Sequence, residues 1–324
     1  MLTRYTITGK QLTPTPDGCD AESIHWADLQ NPTREEEQEI EECFGIEIPT
    51  QEEMAEIEIS SRLYQDRDSY VLTTPLIVKA DSALPQTDAI TFILSPRGLV
   101  TLRYSSPQSF INFINRAERG SISVSNSTQI FLGLLDAITD RLADILEMTG
   151  RRIDETSASI FRTEVEPRHS PDRPDLKRSL REVAHSGDMI SKARESLVGL
   201  SRLVSYISSS SLVQSHGERD GPTISSLQND LSSLTDHANF LSSKVNFLLD
   251  ATLGMINIEQ NGIIKIFSVA AVVFLPPTLV ASIYGMNFHH MPELDWRLGY
   301  PMALGLMLLS AYLPFRWFKA KKWL

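Results

Sequence analysis

The chain has 324 residues and a formal net charge of -11, from 30 Lys and Arg against 41 Asp and Glu. That length accommodates two domains, and the negative balance argues against a nucleic-acid partner, since phosphate backbones are bound by surplus cations. Cys19 and Cys43 are too few for a disulfide framework or a zinc site, so both are expected as reduced thiols.

Residues 1–120 read as a compact cytoplasmic α/β unit. The opening MLTRYTITGK carries no basic-then-apolar leader, so this part is expected not to be exported. Short β-branched or aromatic runs bounded by Gly, Pro and Asp predict strands at 2–8, 24–29, 69–78, 89–94 and 99–104. Pro32-Thr33 opens an acidic helix, and from Glu35 to Glu58 there are eleven glutamates with no Lys or Arg. Such a surface is either a plain solvated face or one that gathers divalent cations.

From Ser127 the period turns helical, with Phe131, Leu135, Ile138, Leu142 and Ile145 stepping by four and three. A Pro-rich break at 167–174 precedes a helix carrying Leu176, Leu180, Val183, Ile190, Leu197 and Val204, and 216–222 predicts a second break. Ile224, Leu227, Leu231, Leu234, Ala238, Leu241, Val245 and Leu248 then keep strict 3,4 spacing. Residues 121–262 are therefore expected to be a cytoplasmic helical stalk with a coiled-coil face. No turn signal interrupts 223–284, a helix of about 90 Å at 1.5 Å per residue.

The run 266–284 is uncharged over 19 residues, and a second apolar run covers 298–315. Each matches a hydrocarbon core of ~30 Å. Pro276-Pro277 is tolerable there if neighbouring groups satisfy the freed carbonyls. The expected order is a first transmembrane helix at 263–287, an external loop at 288–297, a second transmembrane helix at 298–318 and a basic tail at 319–324. Arg316, Lys319, Lys321 and Lys322 follow the second run, while Arg297 is the one basic residue of the connector. The positive-inside rule then puts both termini in the cytoplasm.

One face of the long helix (Asp250, Gly254, Asn257, Asn261, Ile264, Ser268, Ala271, Leu275, Thr278, Ser282 and Gly285) is small or polar for much of its length. Inside a bilayer such a stripe faces other helices or water. It is either a packing seam or a pore lining, and two spans per chain make a pore only in a ring of subunits.

Tyr284-Gly-Met-Asn-Phe288, followed by Met291-Pro-Glu-Leu294, a second apolar run and a tail ending Lys322-Trp323-Leu324, closely resembles the CorA magnesium-transporter family. The stretches 256–269 and 274–282 look like its proteobacterial branch. The resemblance is specific over roughly 245–324 and architectural upstream, where it includes Trp26-Ala-Asp-Leu29 before the acidic helix. It implies a CorA-like funnel: an α+β cytoplasmic domain, a long-helix stalk and an all-α membrane part of two transmembrane helices. The assembly implied is a homopentamer in the bacterial inner membrane, with no enzymatic activity. The selectivity motif would be Gly285, Met286 and Asn287 at the outer mouth. Asn261, Ile264, Phe267, Leu275 and Thr278 would line or close the pore. Glu293 and Asp295 would supply the loop's negative charge, and Asp250 would hold regulatory Mg²⁺ between subunits.

Mg²⁺ dehydrates reluctantly, so a ring of neutral Asn287 amides suits an ion that keeps its waters. Co²⁺ and Ni²⁺ are the expected passengers. His289-His290 stands where the family usually has an acidic or aromatic pair, and imidazoles favour Co²⁺, Ni²⁺ and Zn²⁺. A zinc-directed transporter of the same superfamily is therefore the alternative, and a non-conducting membrane-anchored metal sensor is the alternative of another class. No nucleotide-binding loop is present, which leaves the membrane potential as the energy source.

Overall fold

The computed structural model describes residues 1–15, 24–82, 84–162, 175–286, 291–292 and 296–321, the side chains of 211–219 excepted. These residues form two units, Met1–Leu249 and Asp250–Leu324. In chain order the elements are β1 (Leu2–Thr8), β2 (Gln11–Thr15), β3 (Trp26–Gln30), α1 (Arg34–Phe44), α2 (Gln51–Met54), α3 (Ile59–Arg62), β4 (Leu63–Asp66), β5 (Ser69–Val78), β6 (Gln86–Ser95) and β7 (Gly98–Arg103). The helices α4 (Gln108–Glu118), α5 (Ser127–Arg162), α6 (Leu176–Ser208), α7 (Ser211–Tyr284) and α8 (Gly299–Ala320) complete the chain.

The strands make one seven-stranded sheet in the order β2-β1-β3-β7-β6-β5-β4. All neighbours are antiparallel except β3 and β7, which run parallel. β5 is buried at all ten positions, as a strand must be when helices cover both faces of its sheet. The strand period of two deals its side chains to two cores. On one face Ala27, Leu29, Val71, Ile93, Val100 and Leu102 pack with Ile40 and Phe44 of α1 and Met54 of α2. On the other, Trp26 lies 6.1 Å from Phe113 of α4, and Phe92 lies 5.5 Å from Phe131 of α5. The sheet edges are short. β2 has five residues and includes Pro14, and β4 has four.

A buried polar network sits between the sheet and α4. Asp28 accepts from Arg103 Nε at 3.0 Å, Arg103 Nη2 at 2.7 Å and Thr101 Oγ1 at 2.7 Å. Trp26 Nε1 donates to Thr101 Oγ1 at 2.9 Å, and the Arg103 guanidinium lies 5.1 Å from the centre of the Phe110 ring. Asp28 and Arg103 are 3 % and 5 % exposed, so each charge depends on the other.

Much of the acidic run does structural work. Thr33 and Glu36 form a capping box at the start of α1, and Gly45 ends it with φ 67. Glu36 also accepts from the Leu2 amide at 2.9 Å, Glu39 pairs with Arg4, and Glu41 accepts from the Ile48 amide at 3.0 Å. Cys43, also on α1, is disulfide-bonded and not the reduced thiol expected. A count of two excludes a framework of bridges but not a single bridge; Cys19 lies outside the described residues.

α6 lies along β5, with Ser196 Oγ accepting from the Ile77 amide at 2.9 Å. Within the first unit, the regular apolar face of α7 is used inside the chain. Ile224, Leu227, Leu231, Ala238, Leu241, Val245 and Leu248 are buried. Gly150 of α5 and Gly187 of α6 make room for Leu241 and Val245: a Cβ on either glycine would stand 3.5 Å and 3.2 Å from those side chains. Lys244 pairs with Asp154 of α5.

The break expected at 216–222 is absent, for α7 runs unbroken from Ser211. Gly217, Gly221 and Pro222 together cost about 5 kcal/mol of helix propensity, which burial of Ile224, Leu227 and Leu231 in the following turns offsets. The chain instead breaks after α6, where Ser209 and Ser210 hydroxyls donate to the carbonyls of Tyr206 and Ile207 at 2.8 and 2.6 Å. The other expected break, 167–174, lies outside the described residues.

Candidate functional site

The second unit holds the C-terminal half of α7 and α8. At about 100° per residue, Asp250, Asn261, Ile264, Phe267, Leu275 and Thr278 fall within an arc of about 120° on α7. Between Asp250 and Thr278 the axial rise is about 42 Å, and the helix is continuous throughout. The face is open: Ile264 is 61 %, Phe267 71 % and Leu275 65 % exposed. A Cβ added at Gly254 or Gly262 would meet nothing within 4 Å. Apolar side chains elsewhere on this segment are as open, with Ile258 71 %, Ile266 63 % and Phe274 69 % exposed, so its whole circumference is a surface that something else covers.

The hydroxyls on this face bond to their own helix. Ser268 donates to the Ile264 carbonyl and Thr278 to the Phe274 carbonyl, both at 2.8 Å. Their protons are thereby committed, which leaves oxygen lone pairs as acceptors on the open face. Pro276 and Pro277 have no N–H, so the carbonyls of Val272 and Val273 lose their usual partners, yet α7 continues to Tyr284.

Past Tyr284 the Gly285 amide donates to the Ala281 carbonyl at 2.9 Å and the Met286 amide to the Ile283 carbonyl at 3.2 Å. Gly285 is not among the glycines with positive φ. Its missing Cβ matters for room, since that atom would stand 3.2 Å from the Ala281 carbonyl. Asn287, His289, His290, Glu293 and Asp295 lie outside the described residues.

Asp250 is exposed. Among the described residues no three His, Cys, Asp or Glu side chains come together as a metal site, so Asp250 has no such companions among them. Asp81 is engaged with Arg141 at 2.6 Å, and Asp88 lines a cavity of about 260 Å³ with Arg62, Tyr104 and Glu195.

α7 is the one helix among the described residues that is both long and apolar enough to cross a membrane. α8 occupies the place expected for a second span and has 22 residues, about 33 Å. Tyr300, Pro301, Tyr312, Pro314 and Arg316 dilute its apolar character. Sequence reasoning passed over the aromatic pattern of α8. Tyr300 at its start and Trp317 at its end are 78 % and 57 % exposed and about 26 Å apart along the axis, comparable to the ~30 Å hydrocarbon core whose two faces aromatic residues mark.

A family model for the CorA-like Mg²⁺ transporter protein matches residues 21–321. The "Magnesium transport protein CorA" of Pasteurella multocida (strain Pm70) is 33 % identical over 326 residues, covering 100 % of both chains. Its namesake from Escherichia coli (strain K12) is 34 % identical over 326 residues, also with 100 % of both covered. The complete structure of the CorA magnesium transporter from Methanocaldococcus jannaschii superposes with a TM-score of 0.78 at 17 % identity, covering 100 % of this chain and 99 % of that one. The long apolar helix α7, the seven-stranded sheet of the first unit and the full-length matches agree: the chain belongs to the CorA-like Mg²⁺ transporter family.

Proposed function

We propose that the chain conducts Mg²⁺ into the cell as a channel-like transporter, five copies surrounding one axis with the polar stripe of α7 facing it. A member of a transporter family, it is not an enzyme. The observation that carries the reading is the polar stripe on α7: Asn261, Ser268 and Thr278 share one arc of the helix that is apolar enough to cross a membrane. Facing lipid, the stripe's polar members would be costly. Around an axis, Asn261 and Thr278 would pass the ion, while the rings of Ile264, Phe267 and Leu275 would close the path by excluding water. Gly285, Met286 and Asn287 would form the outer selectivity ring, with Glu293 and Asp295 drawing cations to it.

An inside-negative potential supplies ~2.3 kcal/mol per charge per 100 mV, hence about 4.6 kcal/mol for a divalent ion. That drives uptake without ATP and calls for a brake. Asp250 lies on the same arc, so copies around one axis bring their carboxylates together, and cytoplasmic Mg²⁺ bound there would hold the copies closed. Co²⁺ and Ni²⁺ would share the path. The test is Mg²⁺ flux into liposomes holding purified full-length protein, with Zn²⁺ in parallel. Asn287→Ala should abolish flux while assembly persists. Undiminished flux in that variant removes the selectivity ring, and Zn²⁺ flux exceeding Mg²⁺ flux favours the zinc-directed reading.

A further inference from the structure

We propose that the last turn of α8 is a binding site for anionic phospholipid headgroups. The proposal rests on the membrane-spanning reading of α8 and adds a partner that this reading does not require. Arg316, Lys319 and Lys321 are exposed within six residues of one another. α8 contains no Asp or Glu. Among the described residues, none of the three cations has an acidic partner. The Arg316 guanidinium rests 6.0 Å from the centre of the Tyr312 ring, a contact that holds it against the helix without neutralising it.

The neighbours fix the chemistry of the occupant. Trp317 is 57 % exposed beside these cations, and Phe318 next to it is 6 % exposed with its ring 5.1 Å from the indole. An exposed indole at the end of an apolar helix sits at headgroup depth. The three cations are then held at the plane of lipid phosphates, where the complement to unpaired Lys and Arg is an anionic headgroup. Each cation near an anionic surface favours it by about fivefold, so three together give about a hundredfold at low salt, less at physiological ionic strength.

The experiment uses the full chain in vesicles of phosphatidylcholine with about 30 mol % phosphatidylglycerol, an anionic surface. Spin-labelled versions of both lipids report how strongly each associates with the protein. The wild type should prefer phosphatidylglycerol by about tenfold or more, and the triple variant Arg316→Gln, Lys319→Gln, Lys321→Gln should show little preference. The arginine variants Lys319→Arg and Lys321→Arg should keep it. Should the triple variant not assemble, Lys319→Gln and Lys321→Gln singly are each expected to lower the preference by about fivefold.

An unchanged preference in the glutamine variants overturns the proposal. So does a preference erased by millimolar inorganic phosphate, which would identify a free anion as the ligand. Mg²⁺ flux in the same wild-type vesicles is scored separately. Lipid preference without flux sinks the channel reading and sustains this one.

Discussion

Removing Asp28 tests whether the buried network under α4 holds the cytoplasmic unit together. Asp28→Ala deletes the acceptor of three hydrogen bonds, two from Arg103 and one from Thr101. Arg103 would remain 5 % exposed, its one other described hydrogen bond running from Nη1 to the Ser105 carbonyl at 2.7 Å. Orphaning one partner of a buried pair costs about 3–5 kcal/mol. For a unit of 249 residues, each kcal/mol lowers Tm by about 2–4 °C, so the loss is about 6–20 °C. Replacing both charges, Asp28→Leu with Arg103→Met, removes the orphan and should cost less than Asp28→Ala alone. The assay is thermal unfolding of the full chain in detergent, followed by tryptophan fluorescence, with Trp26 inside the network as reporter. A single variant within about 1 kcal/mol of wild type, or a double variant worse than the single, refutes the reasoning.

Burial first, then the Asp28 and Glu118 carboxylates, push the Tyr5 hydroxyl up to about 12, against the opposing pull of Arg103. The folded chain therefore keeps a proton that the unfolded chain releases near pH 10; the resulting stability is present below that pH and lost as pH rises through about 12. The stability difference between wild type and Tyr5→Phe should change across that window, and a constant difference refutes the assignment. At Gly199 of α6 a Cβ would stand 2.5 Å from Thr74 Oγ1 and 2.9 Å from Pro75 Cδ. Gly199→Val should cost about 1–3 kcal/mol in urea unfolding by prising α6 from β5; no loss would mean the helix can shift freely. Asp250→Asn should weaken inhibition of flux by internal Mg²⁺ at least tenfold while leaving flux at low Mg²⁺ intact, and unchanged inhibition moves the sensor elsewhere.

Regular periods made parts of this chain legible. β1 and β5 have the bounds their side chains predict, since Leu2–Thr8 and Ser69–Val78 are dense in β-branched and aromatic residues. β2 and β4 escaped: QLTPT and LYQD are short and polar with no clean alternation, because edge strands bury little. The 216–222 break is absent because Gly and Pro are local signals, and the packing of Ile224, Leu227 and Leu231 that overrides them is not local. The small and polar stripe on α7 follows from the 3.6-residue period, whereas Phe267 is absent from that stripe and is named only through the family resemblance. A partner for Asp250 could not be named, since a contact between residues far apart in sequence leaves no periodic trace.

The two ends of the sheet limit how copies of this protein can meet. At one border Pro14 withholds an amide, and at the other a four-residue strand offers little to extend. Neither border is a template for strand addition. Growth into open-ended β stacks is thus discouraged at both margins, and contact between copies is left to surfaces other than the borders of the sheet.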